Sequence, residues 1–314
     1  MDSETRRNVS QTPNLPSDAL PMAAPSILIT GASSGIGAAL ARQLLAEHGC
    51  RVFLGCRSVA RGNDAVAAMA LPSDAAARAH VLELDVTSDA SVAAAAEAVR
   101  AALGGESLYA VVNNAGVGLA TLVDAASTAA MLDTNLRGPM RVSSAFLPLL
   151  KAAGGRIVNV GSGSGPTYVK ALIECGGQAA AKALMEPADV EGVLAHAAAH
   201  LGSAASEKAY KGYGLSKACL TAWAQVFARE HPGLIVITCS PGFIATKLTA
   251  GFGVRAICAP FFIRTPPHLT SIPLLLLPAI PAAAGQQDAR GGHAGHQALP
   301  LHGGARGQRL VPWQ

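Results

Sequence analysis

The chain has 314 residues, of which 50% are hydrophobic, 14% charged and 4% aromatic, a composition typical of globular proteins. The net charge of +4 is too small for a protein that binds nucleic acid by neutralising phosphates. No apolar run reaches the roughly 18 residues that a membrane-spanning helix needs. The sequence therefore predicts a soluble protein with no nucleic-acid partner and no membrane partner.

The two ends of the chain differ from its centre. Residues 1–25 mix charged residues with prolines and lack an apolar segment, so we expect a disordered leader and no secretory signal, with an organellar transit peptide still open. Residues 251–314 contain five Arg, one Asp and no Lys or Glu, and they carry the whole excess of positive charge. We expect a low-complexity tail over 254–314 and one domain over 26–253.

The six cysteines show neither a C-x-x-C pair nor a metal-ligand spacing. This scatter favours free thiols in a reducing compartment over a disulfide framework, and it predicts no metal site. We expect a cytoplasmic protein.

Short apolar runs alternate with longer Ala-rich amphipathic stretches from residue 26 onward, a pattern typical of βαβ units. The predicted strands are Ile27–Thr30, Arg51–Cys56, His80–Leu84, Ala110–Asn113, Arg156–Val160 and Leu234–Cys239. The predicted helices lie near 36–48, 59–70, 89–102, 124–152 and 213–230. These elements predict an α/β fold with a Rossmann-type doubly wound parallel sheet, whose ligands bind at the carboxyl ends of the strands. Residues 166–212 depart from this rhythm and predict a helical insertion.

A glycine-rich turn, T-G-A-S-S-G-I-G over residues 30–37, joins the first strand to the first helix. In that position Gly31 allows a tight turn, Gly35 lets the backbone approach a pyrophosphate, and Gly37 permits close packing of helix on strand. The free N–H groups at the start of the helix would face the anion. The alternative is a loop that needs positive φ without binding a ligand.

Tyr213 and Lys217 are four residues apart, so on a helix their side chains project from one face. A neighbouring ammonium favours the phenolate, so we expect Lys217 to lower the pKa of Tyr213 toward the range of efficient proton transfer. An ordinary pair on a helix surface is the alternative.

The turn at 30–37 resembles the T-G-x-x-x-G-x-G signature of the short-chain dehydrogenase/reductase family. Three further motifs occur in the family's order: N-N-A-G at 113–116, Y-x-x-x-K at 213–217 and P-G-x-x-x-T at 241–246. The resemblance implies a catalytic set formed by Asn135, Ser162, Tyr213 and Lys217. Ser164 is a weaker alternative to Ser162, and Asn135 could instead be an ordinary buried amide.

The resemblance also implies a nicotinamide cofactor. The implied cofactor site comprises Gly31, Ser33, Ser34, Gly35, Ile36, Gly37, Arg57, Asp85, Val86, Asn113, Ala115, Gly116, Tyr213, Lys217, Pro241, Gly242, Ile244 and Thr246. The second strand ends in Cys56-Arg57-Ser58 without a carboxylate, so Arg57 can bind a 2′-phosphate and NADPH (NADP+) is predicted over NADH. Ser34 stands where many NADP-using relatives have a basic residue, and a solvated surface arginine is the alternative at Arg57.

Ser162 and Tyr213 are 51 positions apart, far more than the family usually leaves between these two residues. An insertion here resembles the monomeric carbonyl reductase branch, which implies a monomer; a loop without an oligomeric role is the alternative. The predicted function is NADPH-dependent reduction of a small aldehyde, ketone or quinone, with Tyr213 as proton donor. The alternatives are an alcohol dehydrogenase working in the oxidative direction and a protein that binds NADP(H) with little or no turnover.

Overall fold

Six parallel strands form the centre of a computed structural model, which describes residues 24–118, 125–242 and 261–263. The parallel strands are β1 (Ser26–Thr30), β2 (Arg51–Cys56), β3 (Ala79–Glu83), β4 (Leu108–Asn113), β5 (Arg156–Val160) and β6 (Ile235–Ser240). Their order in the sheet is β3-β2-β1-β4-β5-β6. The order in which the chain adds strands to the sheet reverses between β1 and β4, which places a ligand crevice at the carboxyl ends of these two strands. The predicted doubly wound sheet is confirmed.

Helices cover both faces of the sheet. They are α1 (Gly35–Glu47), α2 (Val59–Ala68), α3 (Ser73–Ala76), α4 (Asp89–Leu103), α5 (Ala125–Leu132), α6 (Gly138–Phe146), α7 (Ser164–Glu174), α8 (Gln178–Met185), α9 (Val190–Ala199), α10 (Ala204–Lys208) and α11 (Tyr213–Glu230). Alternate residues of β1 point to opposite layers: Ile27 and Ile29 belong to the core under α1, and Leu28 to the core under α4, α6 and α11. Two apolar cores, one on each face, follow from this alternation.

Three sequence expectations about elements need correction. The strands expected at His80–Leu84 and Leu234–Cys239 are displaced by one residue from β3 and β6. A seventh strand, β7 (Phe261–Ile263), pairs antiparallel with β6, although no strand was predicted after residue 250. An apolar run of only three residues is too short for its alternation to be recognised.

The single helix expected over 124–152 is wrong. The chain there forms α5, a π-helical turn at Asp133–Arg137, α6, and a 3-10 turn at Leu147–Leu149. Pro139 lies in the first turn of α6, and Pro148 lies in the 3-10 turn. Proline lacks the N–H that a continuous helix would use as a hydrogen-bond donor. It is therefore tolerated in the first turn of a helix, and elsewhere it interrupts the helical hydrogen bonds.

The predicted insertion is helical. It is made of α7, α8, α9 and α10, which lie between β5 and α11. Both α7 and α9 pack on α11, and Tyr168 of α7, wholly buried, bonds through its hydroxyl to Nε2 of His196 of α9 at 2.9 Å. The insertion is therefore packed into the core that supports α11.

Candidate active site

The glycine-rich turn is packed tightly against the end of β4. Gly31 has φ +65°, and a Cβ there would lie 2.9 Å from the Cα of Ala115. A Cβ on Gly37 would lie 2.4 Å from Nδ2 of Asn114. These two glycines are therefore required for the close approach of the turn to β4.

Two residues that the sequence analysis left without a role hold this turn in place. The Asn114 side chain donates to the carbonyl oxygens of Thr30 (2.9 Å) and Gly31 (3.2 Å). The Thr30 hydroxyl accepts from the N–H groups of Asn114 and Ala115, each at 3.0 Å. The sequence could have indicated this role, because Thr30 belongs to the T-G-x-x-x-G-x-G motif and Asn114 belongs to the N-N-A-G motif.

The first helix begins without a capping side chain. Ser34 is its N-cap residue, is exposed and makes no side-chain capping bond. The N-terminal N–H groups of α1 therefore keep their capacity for an anion, which the positive end of the helix dipole favours. Together with Gly31 and Gly37, this cradle fits a cofactor pyrophosphate.

Lys217 is buried at the carboxyl end of β5. Its Nζ donates to the carbonyl oxygen of Val160 at 2.8 Å, and the residue is only 5% exposed. Burial lowers the pKa of Lys217 to about 8, with the Cys239 thiol acting in the opposite direction. A lysine with this pKa can gain or lose a proton near neutral pH.

Tyr213 is buried beside Lys217, whose Nζ lies 5.7 Å from the centre of the tyrosine ring. Burial raises the pKa of Tyr213, while hydrogen bonding with Ser162 acts in the opposite direction. The expectation that Lys217 lowers this pKa below its ordinary value is therefore wrong for this structure. Desolvation of the phenolate outweighs the pairing that the i, i+4 spacing suggested.

Gly118 contributes a close contact that the sequence analysis missed. A Cβ at this position would lie 2.2 Å from Cδ2 of Tyr213, so the backbone of residue 118 packs directly on the tyrosine ring. The only sequence signal is a second glycine two residues after the N-N-A-G motif, which by itself does not indicate what the backbone approaches.

Asn135 lies in the π-helical turn and is fully buried. Its Oδ1 accepts from the N–H of Val117 at 2.9 Å, and its Nδ2 donates to the Val117 carbonyl oxygen at 2.7 Å and to Ser216 Oγ at 3.0 Å. Ser216 in turn donates to the Tyr213 carbonyl oxygen at 2.8 Å. Asn135 therefore ties the segment after β4 to the first turn of α11, and Ser216 is a further residue that the sequence analysis missed.

Ser162 and Ser164 lie together at the end of β5. Their hydroxyl oxygens are 2.7 Å apart, and the N–H of Ser164 donates to Oγ of Ser162 at 3.2 Å. The structure brings Ser162, Tyr213 and Lys217 together at the carboxyl edge of the sheet. Lys217 of α11 bonds to Val160 at the end of β5, two residues before Ser162.

The ends of β2 and β3 carry the residues predicted for the opposite end of a cofactor site. Hydrogen bonds from the N–H and hydroxyl of Thr87 lower the pKa of Asp85, and the charges of Arg57 and Arg141 act in the same direction. Arg57 itself is exposed, and Val86 packs against Gly138.

Not every predicted cofactor residue offers its side chain. Asn113 is 3% exposed, and its amide donates to Ser143 and Asn159 in the core, so a cofactor contact at this position would come from the main chain. Pro241 and Gly242, with φ +78° at Gly242, directly follow β6. Ile244 and Thr246 lie outside the described residues.

The sequence model of the family described as short chain dehydrogenase matches residues 25–186, just over half of the chain. The chain belongs to this family. The match covers the glycine-rich turn, the end of β4 and Ser162, whereas Tyr213 and Lys217 lie beyond it.

Curated relatives of this chain carry several names. Mitochondrial D-beta-hydroxybutyrate dehydrogenase of Bos taurus is 37% identical over 148 residues, 45% of this chain and 42% of that protein. Retinol dehydrogenase 16 of Rattus norvegicus is 31% identical over 231 residues, 72% of this chain and 58% of that protein. The matched region thus spans about half the length of these relatives.

Solved structures share the fold of this chain. Salutaridine reductase from Papaver somniferum superposes with a TM-score of 0.62 and 24% identity, covering 73% of this chain and 90% of that one. NADPH-bound carbonyl reductase from chicken fatty liver gives a TM-score of 0.55 and 23% identity, covering 74% and 84%. At these identities the likeness concerns the fold alone.

Proposed function

We propose that the protein is an oxidoreductase that uses NADPH to reduce an aldehyde, a ketone or a quinone to the corresponding alcohol. The observation that carries this proposal is the burial of Tyr213 and Lys217 beside Ser162, at the sheet edge that also holds the glycine-rich turn. A phenol, an ammonium and a hydroxyl at one point can position a carbonyl oxygen and supply its proton.

The cofactor would be held along the carboxyl edge of the sheet. The uncapped start of α1 and the turn at Gly31 would bind the pyrophosphate, and Arg57 would reach the 2′-phosphate. When bound, NADPH supplies the hydride that the carbonyl carbon accepts. Gly116 and Lys217 would border the nicotinamide end, because a Cβ on Gly116 would lie 3.7 Å from Lys217 Nζ.

Tyr213 would donate its proton to the carbonyl oxygen while Ser162 donates a hydrogen bond to the same oxygen. Hydride and proton would thereby add across the C=O bond, giving the alcohol and NADP+. The raised pKa of Tyr213 keeps the phenol protonated at neutral pH, which is the form that a proton donor needs. Lys217, with its pKa lowered to about 8, is placed to return a proton to Tyr213.

Oxidation of a secondary alcohol is the second candidate. It is favoured by the names of the curated relatives, hydroxybutyrate dehydrogenase and retinol dehydrogenase. This direction requires Tyr213 to act as a base and therefore as the phenolate, which burial disfavours. We therefore propose reduction as the main activity.

The test measures NADPH consumption with a panel of aldehydes, ketones and quinones, and NADP+ reduction with secondary alcohols. The Tyr213→Phe variant should lose about 100-fold or more of kcat, because it removes the proton donor. Tyr210→Phe is the matched control, since Tyr210 is three residues away and 50% exposed, and it should retain the wild-type kcat.

Cofactor binding is followed separately by NADPH fluorescence. Binding by both variants together with Tyr213-dependent turnover supports the proposal. Binding without turnover on any substrate would instead establish a protein that binds NADP(H) without catalysis. Faster turnover of alcohols than of carbonyls would favour the dehydrogenase.

A further inference from the structure

Ser162 and Ser164, which follow the end of β5, differ in the hydrogen bonds that their hydroxyls can make. A serine hydroxyl has one proton to donate and two acceptor positions. Oγ of Ser162 already accepts from the N–H of Ser164 at 3.2 Å and lies 2.7 Å from Oγ of Ser164. Either hydroxyl can be the donor in the shorter contact.

The direction of that contact decides whether Ser162 can serve a substrate. If Ser162 donates to Ser164, its only proton is used within the protein. If Ser164 donates, both acceptor positions of Ser162 are filled, and its proton is free for a carbonyl oxygen. Ser162 also faces the proposed proton donor, because its side chain is among the groups that lower the pKa of Tyr213 against the effect of burial.

Ser164 is held rigidly in the position that this role requires. It is the first residue of α7 and is 9% exposed. A Cβ on Gly214 would lie 2.7 Å from the carbonyl oxygen of Ser164, and a Cβ on Gly165 would lie 3.2 Å from the N atom of Ala218. The two glycines therefore let the start of α7 pack directly on the turn of α11 that carries Tyr213 and Lys217.

We propose that Ser164 is a positioning residue whose hydroxyl donates to Ser162 Oγ and so directs the Ser162 proton to the substrate oxygen. This inference rests on the proposed carbonyl reduction. Ser164 itself precedes the insertion over 166–212 and is the first residue of α7, whose later residues belong to that insertion.

The test is a double-mutant cycle on kcat with one carbonyl substrate. Ser164→Ala should lower kcat about tenfold, the effect of one net hydrogen bond, and leave KM and the NADPH Kd unchanged. Ser164→Thr keeps the hydroxyl and should restore most of kcat. In a Ser162→Ala background, Ser164→Ala should have no further effect, because Ser164 acts only through Ser162.

Thr167→Ala is the matched control. Thr167 also carries a hydroxyl in the first turn of α7, and this hydroxyl donates to the Gly163 carbonyl oxygen at 3.1 Å. This variant should retain the wild-type kcat. The melting temperature and NADPH fluorescence of each variant verify that the fold persists.

Three results would overturn the inference. They are an unchanged kcat in Ser164→Ala, an equal loss of kcat on adding Ser164→Ala to wild type and to Ser162→Ala, and a kcat that Ser164→Thr does not restore. Tyr213-dependent turnover combined with any of these would leave the proposed function standing and remove only the role of Ser164. Absence of Tyr213-dependent turnover would overturn both.

Discussion

Lys217 shows how burial sets the charge of a single active-site residue. Its ammonium has a carbonyl oxygen, that of Val160, as hydrogen-bond acceptor, and no described carboxylate is among the causes of its pKa shift. A buried ammonium without a counter-ion is costly, so its protonated form is disfavoured.

The pH dependence of stability should reveal this cost. Between pH 8 and 10.5 the unfolded chain binds a proton on Lys217 that the folded chain lacks, so the free energy of unfolding should rise with pH across this window. Below pH 8 both states are protonated and the cost is present in full. We expect wild type to gain up to about 3 kcal/mol relative to Lys217→Met.

Urea denaturation of both proteins at several pH values within this window measures the difference. Comparison with Lys217→Met removes the contributions of the titrating groups that do not interact with Lys217. Parallel stability curves for the two proteins would show that the pKa of Lys217 is not lowered on folding.

Arg57 is the residue on which the proposed cofactor preference depends. Replacing it by Glu should raise the Kd for NADPH at least tenfold, because a carboxylate repels the 2′-phosphate, and should leave the Kd for NADH nearly unchanged. Arg100→Glu makes the same charge change on the exposed face of α4 and should alter neither Kd. Equal changes for the two cofactors, measured by fluorescence titration, would exclude a specific role for Arg57.

At the scale of the element, the end of α2 contains a local conflict. Ala70 follows the C-cap residue Met69 and has φ +49°, a left-handed conformation that glycine adopts without steric cost. Helices commonly end with glycine in this conformation. The sequence therefore places an unfavourable residue at this helix end.

Ala70→Gly should stabilise the protein by about 1 kcal/mol, because it removes the left-handed strain of a residue with a Cβ. Ala67→Gly is the control, since Ala67 lies inside the same helix and is also exposed, and it should destabilise by about 1 kcal/mol. Chemical denaturation measures both changes. A loss of stability in Ala70→Gly would contradict the strain argument.

The segment before α11 is a second irregular element. Tyr210, Lys211 and Gly212 have successive φ values of +58°, +51° and +87°. Only Gly212 has a clear packing reason, because a Cβ there would lie 2.5 Å from Cγ2 of Thr128. This tight turn aligns the end of the insertion with the first residue of α11, Tyr213.

For the whole molecule, the insertion changes what α11 exposes. Thirteen of the 18 residues of α11 are buried, and α7 and α9 of the same chain pack on it. A helix that is buried nearly all round within its own chain has little surface left for a second copy. Within the described residues, no helix combines the length and the apolar character needed to cross a bilayer.

We therefore predict that the protein is a monomer. Light scattering after size exclusion should give a mass near 31.7 kDa at every concentration tested. A value two or four times larger would contradict the prediction and would point to a surface other than α11 as the interface.

Much of the site could be predicted from sequence because its motifs are local. The glycines at 31, 35 and 37 and the pair Tyr213 and Lys217 are each set by spacing within one turn or one helix, and such spacing survives any tertiary arrangement. The π-helical turn around Asn135 could not be predicted, because it depends on hydrogen bonds to Val117 and Ser216, which are distant in sequence.

The sequence by itself determined the alternation of six strands with helices, the position of the glycine-rich turn and the placement of an insertion before Tyr213, since hydrophobic periodicity and turn residues act locally. Only the tertiary structure decided the protonation of the site. Whether Tyr213 and Lys217 perturb each other or are governed by burial depends on the chain segments that exclude water from them. Gly118, Val160 and the start of α7 surround that pair, and no spacing in the sequence shows that they meet.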